Sequence, residues 1–453
     1  MNAPNALRPA PGPPRPYHFP EFTHRPLGHG LTLWVVPLPD REMVSVQLLV
    51  DGGAAAESEP EGGIAALTAE TLVTGTRRLD GHAFAEATER LGIEMFADSS
   101  WDVARSGFSA LADRYLAGLE LLAEMVREPR FDEGEFDRLR EERLADILQS
   151  RSEPGRLAEE WFLHAVYADD SPYARLSAGT PETVEPLTVE QARTHHARHW
   201  RPDRAHLVVA GPVGVDDVER AAEATLGDWD GTSPGHRTIP VADRGGRRIL
   251  IVDRPGSVQS ELRIGHVGIE RGHPDYFAAL VMAAVLGGTY NSRLNQRLRE
   301  ELGYTYGARA AFDPRRAAGP FGARAAVQTE VTTDAVRETL AVVEGMRAAP
   351  PDEAELRHVI DYLVGIFPLR FETTGGAAAG IEPIAVYGLD HDWWATYRDR
   401  VEAVGPVQVH DAAVDLLRPA DALIVLAGDA ARVRPDLEAA ELGPIEVVRP
   451  ADD

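Results

Sequence analysis

Apolar positions along the chain fall into two rounds of one pattern. Short runs rich in branched residues, Leu31-Thr-Leu-Trp-Val-Val36 and Val44-Ser-Val-Gln-Leu-Leu-Val50, open the first round. Arg248-Ile-Leu-Ile-Val252 and Leu262-Arg-Ile-Gly-His266 open the second. Runs of that length and make-up predict strands. Each set leads into a stretch of small apolar residues, Gly63 to Thr76 and Tyr276 to Thr289, sharing an Ala-Ala-Leu near the start and a Gly-Thr at the end. Helical spacing fills the middles, as from Phe136 to Ser150 and from Asp352 to Gly365. Each round closes on a strand ending in Ala-Gly, Leu207-Val-Val-Ala-Gly211 and Leu423-Ile-Val-Leu-Ala-Gly428. Repetition of this kind points to an internal duplication. Strands and helices mix without regular alternation, so the predicted class is α+β: two similar halves, each a mostly antiparallel sheet packed with helices.

Punctuation residues divide the chain further. Residues 1–16, with Pro9, Pro11, Pro13, Pro14 and Pro16, read as a disordered polyproline-prone arm and not as a signal peptide. Residues 17–229 form the first half. Asp230-Gly-Thr-Ser-Pro-Gly235 and Arg244-Gly-Gly246 mark a linker over 230–246. Residues 247–442 form the second half, and 443–453 are expected as a loose tail.

Composition removes several chemistries. The 453 residues include no Cys, which excludes disulfides, thiolate metal sites and Cys nucleophiles. All 46 basic residues are Arg, so Schiff-base and Lys-nucleophile chemistry is excluded as well. A formal charge of −26 argues against nucleic acid, whose binding depends on neutralising phosphates, and favours basic or neutral substrates. The longest apolar run, Phe277 to Leu286, falls well short of the roughly 20 residues a bilayer span requires. Cytoplasmic residence and no membrane contact are the expectation.

The stretch from Gly63 to Gly75-Thr76 resembles the zinc helix of the insulinase and pitrilysin family of metallopeptidases, whose pattern is Gly-x-x-His-x-x-Glu-His followed by Gly-Thr. Ser171-Pro-Tyr173, His199-Trp-Arg-Pro202, Leu286-Gly-Gly-Thr-Tyr-Asn-Ser-Arg-Leu294 and Arg299-Glu-Glu-Leu-Gly-Tyr-Thr-Tyr306 resemble further landmarks in family order. In such a site two His one turn apart and a distant carboxylate hold zinc, and a Glu takes the proton of its water. Here the first His position is Ala66, the base position Ala69 and the second His position Glu70; the third-ligand position falls on Asp146. Glu70 and Asp146 could at most hold a weakly bound divalent ion. Without imidazole or general base, no catalytic zinc is expected on this chain.

The resemblance implies a role for Arg299 and Tyr306. A helix is predicted from Asn291 through Leu302, stopped by Gly303, with a strand from Tyr304 to Phe312. Arg299 would then lie in the last helical turn and Tyr306 on the strand. In the family such a pair binds substrate backbone and steadies the tetrahedral intermediate at a zinc held by the opposite half or subunit; guanidinium and phenol donors suit that task. Some members are two-chain enzymes in which one chain carries the zinc helix and the other the Arg/Tyr pair. The implied function is the non-zinc, substrate-positioning subunit of a heterodimeric zinc metalloendopeptidase, inactive alone. Its partner would be a homologous His-x-x-Glu-His subunit carrying the zinc, and its substrate an unfolded or precursor peptide. The alternative is a catalytically inert structural or peptide-binding homologue.

Other candidates carry less. His195, His196 and His199 include a His-x-x-x-His spacing but precede a strand and read as surface or packing residues; Glu355 and His358 read as a solvated helix face, and Arg293 as structural. Gly375-Gly376 lacks the Lys-Ser/Thr ending of a phosphate loop. Gly231-Thr-Ser-Pro-Gly235 matches the nucleophile-elbow spacing, but Pro234 removes an N–H that an oxyanion hole uses.

Overall fold

A computed structural model of the chain describes residues 15–241 and 245–449. Residues 1–14 of the expected arm, 242–244 of the expected linker and 450–453 of the expected tail lie outside the described residues.

Twelve strands form two six-stranded sheets among the described residues. In chain order they are β1 (Thr23–Pro26), β2 (Thr32–Pro37), β3 (Met43–Val50), β4 (Phe96–Ser99), β5 (Ala104–Leu111) and β6 (Ala205–Gly211) in the first sheet. The second contains β7 (Arg248–Asp253), β8 (Gln259–Val267), β9 (Ala308–Phe312), β10 (Pro320–Gln328), β11 (Leu423–Gly428) and β12 (Ile445–Val448). The spatial orders are β1-β2-β6-β3-β5-β4 and β12-β7-β11-β8-β10-β9. Five strands of each sheet therefore match in order and in sense, with one parallel pair inside an otherwise antiparallel set, β2 with β6 and β7 with β11. The sixth strands differ: β1 pairs antiparallel with β2, whereas β12 pairs parallel with β7. The stretch after Leu442, expected as a tail, thus adds a strand to the second sheet.

The central strands β6 and β11 are buried along almost their whole length, which is why they read as unbroken apolar runs. What covers their two faces could not be read from the pattern. One face of the first sheet packs within its own half, with Leu33, Val46, Leu48 and Val209 against Leu67, Leu119 and Trp200. The other face, carrying Trp34, Val36, Leu49 and Val208, joins the core of the second half. There the helix Thr374–Tyr387 lies on β3 and β6, with Ser45 Oγ 2.9 Å from Thr374 Oγ1 in the buried contact. The exchange is reciprocal. Helix Pro154–Val166 of the first half lies on β8 and β11, burying Leu157, Phe162 and Val166 against Leu250, Val252 and Val425. Asp102 locks the junction: the Tyr173 and Tyr387 hydroxyls donate to its carboxylate at 2.7 and 3.2 Å, and the Arg316 N–H at 2.9 Å.

Candidate functional site

The site residues expected from the sequence fall in two places, and the helix Ile64–Leu72 builds the first. It opens at Gly63, whose φ of +95° and 2.8 Å approach of an added Cβ to the Ala178 carbonyl suit no other residue. The orphan N–H groups of the first turn find a buried carboxylate: Glu57 accepts from Gly63 at 3.1 Å and Ala65 at 2.9 Å. Burial raises the Glu57 carboxyl to about 7, while the Ala65 N–H and Arg175 pull it the other way. Further along, Ala66 and Ala69 are buried methyl-bearing positions, Ala69 within the first-half core.

Glu70 is half-buried, and its carboxylate accepts a hydrogen bond from the Arg143 guanidinium on helix Glu133–Ser152. Asp146, one turn on, is exposed. Arg143, on the same helix as Asp146, reaches Glu70 and pairs with it, which takes up one of the two carboxylates that could at most have held a weakly bound ion. Among the described residues no group of three His, Asp or Glu side chains is placed to hold a metal. Two methyls and a neutralised carboxylate do not fit catalytic zinc, which needs nitrogen or unpaired oxygen ligands. No metal-assisted step belongs to this half.

The nearby histidines are neutral packing groups. His195 Nε2 lies 3.2 Å from the Gly52 carbonyl and His196 Nε2 2.8 Å from that of Val126. Burial lowers them to about 3 and about 4, and lowers His206, whose Nδ1 accepts from the Trp34 indole, to about 4.

The second place is a cavity of about 1060 Å³ on the outer face of β9 and β10. Arg299 and Tyr306 both line it, so the two residues singled out in the sequence are brought to one chamber. The local structure differs from expectation. The helical turn over Asn295–Glu301 is a π-helix, a form that recurs at functional sites. Gly303 then turns the chain with φ +67°. The strand begins only at Ala308, which puts Tyr306 on a loop and not on the strand. The physical reason is side-chain capture of the backbone. Thr305 Oγ1 accepts from the Gly307 N–H and donates to the Gly307 carbonyl, and Asn295 Oδ1 takes the Ala308 N–H at 2.8 Å. Asn295 also donates to the Thr289 carbonyl at 3.1 Å, joining both rims of the chamber.

Tyr306 is left 95% exposed. Arg299 donates to the Tyr290 hydroxyl at 2.5 Å, and its guanidinium stands 4.3 Å above that ring. Tyr290 was not singled out in the sequence, although it lies inside Leu286-Gly-Gly-Thr-Tyr-Asn-Ser-Arg-Leu294. Arg293, by contrast, is bound by two 2.8 Å hydrogen bonds to Glu355 and takes no part.

Two similar α+β halves with an Arg/Tyr-lined chamber and a filled metal position define a peptidase-like class without its metal chemistry. The chain belongs to peptidase family M16, the insulinase family. Residues 36–179 match its family model described as Insulinase (Peptidase family M16), and residues 186–363 match the one described as Peptidase M16 inactive domain. It is similar to an uncharacterized zinc protease of Streptomyces coelicolor, SCO5738, at 23% identity over 76% of this chain and 76% of that one. It is similar also to the non-peptidase homolog YmxG of Helicobacter pylori, at 22% identity over 81% and 84%. A crystal structure of a peptidase M16 inactive domain from Pseudomonas fluorescens shares the fold with a TM-score of 0.85 at 24% identity, covering 90% of this chain and 98% of that one. No helix among the described residues is long and apolar enough to cross a membrane.

Proposed function

We propose that this chain is the metal-free, substrate-positioning subunit of a two-chain zinc peptidase. It supplies Arg299 and Tyr306 to an active site whose zinc is carried by a homologous partner bearing His-x-x-Glu-His. The observation that carries this reading is the contrast between the two places. The metal position is filled from within by Ala66, Ala69 and the Glu70–Arg143 pair, while Arg299 and Tyr306 line an open chamber, Tyr306 almost fully exposed and Arg299 half-buried against the Tyr290 hydroxyl and Glu300. An exposed phenol 95% accessible stabilises nothing within this chain, so its value lies in what binds against it. In the pair, the guanidinium would hold a substrate carbonyl and the phenol would donate to the developing oxyanion.

The test is a reconstituted pair with Arg299→Ala and Tyr306→Phe in this chain. Peptidase activity should fall by about 10²–10³ per lost oxyanion donor, with partner binding retained. Unchanged activity contradicts the reading. A second reading, a catalytically inert peptide-binding or structural homologue, is favoured by the likeness to a relative named a non-peptidase homolog. It expects no effect of either substitution on any peptidase.

A further inference from the structure

The chamber floor carries an unusual charge arrangement. In register, Arg263 on β8 lies opposite Arg324 on β10, and Arg324 lies opposite Arg309 on β9. Three Arg therefore stand in line across adjacent strands, at steps of about 5 Å. Like charges directly opposite on neighbouring strands destabilise a sheet, so each must be neutralised or left for something else. Arg263 is neutralised: it is buried and binds Glu159 of the exchanged helix at 2.8 Å, Glu261 at 3.3 Å and the Gly155 carbonyl at 2.6 Å. The Arg309 and Arg324 side chains are exposed on the chamber face and, among the described residues, have neither a hydrogen bond nor an ion pair. The remaining acid of the lining, Asp313, is taken by Arg315 at 2.7 and 3.0 Å. The floor between them is cleared by small residues, Ala311, Gly322 and Ala326.

We propose that the Arg309–Arg324 pair is an acidic-residue subsite, and that the peptide admitted to this chamber carries a run of Asp or Glu there. The inference deepens the function proposed above and rests on it for the chamber being a peptide chamber. It reverses the preference suggested by net charge. A chain at −26 repels acidic peptides at long range, yet two guanidiniums left without a carboxylate form a local exception, on a face open to a ligand. Guanidinium forks match carboxylates in paired hydrogen bonds, and two opposed Arg about 5 Å apart suit neighbouring acidic side chains of an extended segment.

The experiment measures this chain alone, by fluorescence anisotropy at low salt, with labelled 12-residue peptides rich in Glu, Gln or Lys. The Glu-rich peptide should bind tightest. Arg309→Gln and Arg324→Gln should each weaken it about tenfold, the scale of one charge-assisted hydrogen bond, while leaving the Gln-rich peptide unchanged. Thermal unfolding of both variants should be unchanged or raised, since each relieves a like-charge contact. Equal binding of all three peptides, insensitivity to both substitutions, or displacement by inorganic phosphate at the concentration of the peptide would overturn the proposal. Because no partner is present, failure here is separable from failure of the split active site, which is read only in the reconstituted pair.

Discussion

The first and second sheets run five strands in the same order, yet the same face of the equivalent outer pair is finished in opposite ways. On β4 and β5 the charges close on one another: Arg105 binds Asp98 at 2.6 Å and reaches Glu382 of the exchanged helix at 3.2 Å. On β9 and β10 Arg309 and Arg324 stand opposed and unneutralised above an open cavity. The metal position belongs to the same contrast, since in the first half the Arg143 guanidinium closes on Glu70. Buried polar groups must be paired or replaced by apolar ones, and the metal position of the first half shows both, buried Ala66 and Ala69 and a paired Glu70. On the reading proposed above, the exposed and unpaired Arg309 and Arg324 are the groups left for a ligand.

That contrast can be broken or sharpened by substitution. The largest expected stability effect lies in the exchanged helix. Phe162 is buried at the second sheet, where its ring lies 2.9 Å from an added Gly265 Cβ, so Phe162→Ala should cost about 3–5 kcal/mol in chemical denaturation. Because the helix belongs to the first half in sequence and to the second in packing, both halves should unfold in one transition. Two separate transitions would contradict the exchange. Asn295→Ala removes the bridge between the chamber rims and leaves the buried Ala308 N–H without a partner, a loss of about 1–3 kcal/mol. Activity of the reconstituted pair should fall more than stability alone accounts for, through misplacement of Tyr306.

The pH dependence should originate in the first half. His195, His196 and His206 have folded values pushed below 6.5 by burial, so each takes up its proton only on unfolding. Their contribution is full above pH 6.5 and is lost as pH falls from 6.5 toward about 4, at up to about 1.4 kcal/mol per pH unit for each. Glu57 has the opposite sign. Its folded value is raised to about 7, so its contribution is greatest below about 4.5 and declines as pH rises to about 7. The two ranges overlap and three histidines outweigh one carboxyl, so stability should rise to a maximum near pH 6.5 and decline from there to about pH 7, and Glu57→Gln should flatten that alkaline side. An unchanged profile in that variant would contradict the buried carboxyl. The smallest effect is Arg143→Ala, about 1 kcal/mol or less, because the Glu70 pair is partly exposed.

The strands bounding each half were legible because their burial on both faces leaves continuous apolar runs, as in Leu207–Gly211 and Leu423–Gly428. The duplication followed from them. The exchange was not legible, since the apolar stripe of Pro154–Val166 announces only that it is covered, not by which sheet. Tyr306 was placed on a strand because Tyr304-Thr-Tyr carries β-formers; side-chain capture by Thr305 and Asn295 outweighed that propensity. The partner of Glu70 was not legible: Arg143, three residues before Asp146, takes that carboxylate. Arg309 and Arg324 were readable in retrospect. Ala308-Arg-Ala310 and Ala323-Arg-Ala325 each alternate with period two, and laying them antiparallel puts both Arg on one face.

The most direct test is a chelator-controlled peptidase assay of the purified chain, first alone and then with any His-x-x-Glu-His-bearing homologue that co-purifies with it from native cells. The account predicts no activity from this chain alone and none with added zinc. It predicts activity in the pair that a chelator abolishes. Peptide hydrolysis by this chain by itself, or a paired activity indifferent to Arg299→Ala with Tyr306→Phe, would contradict it.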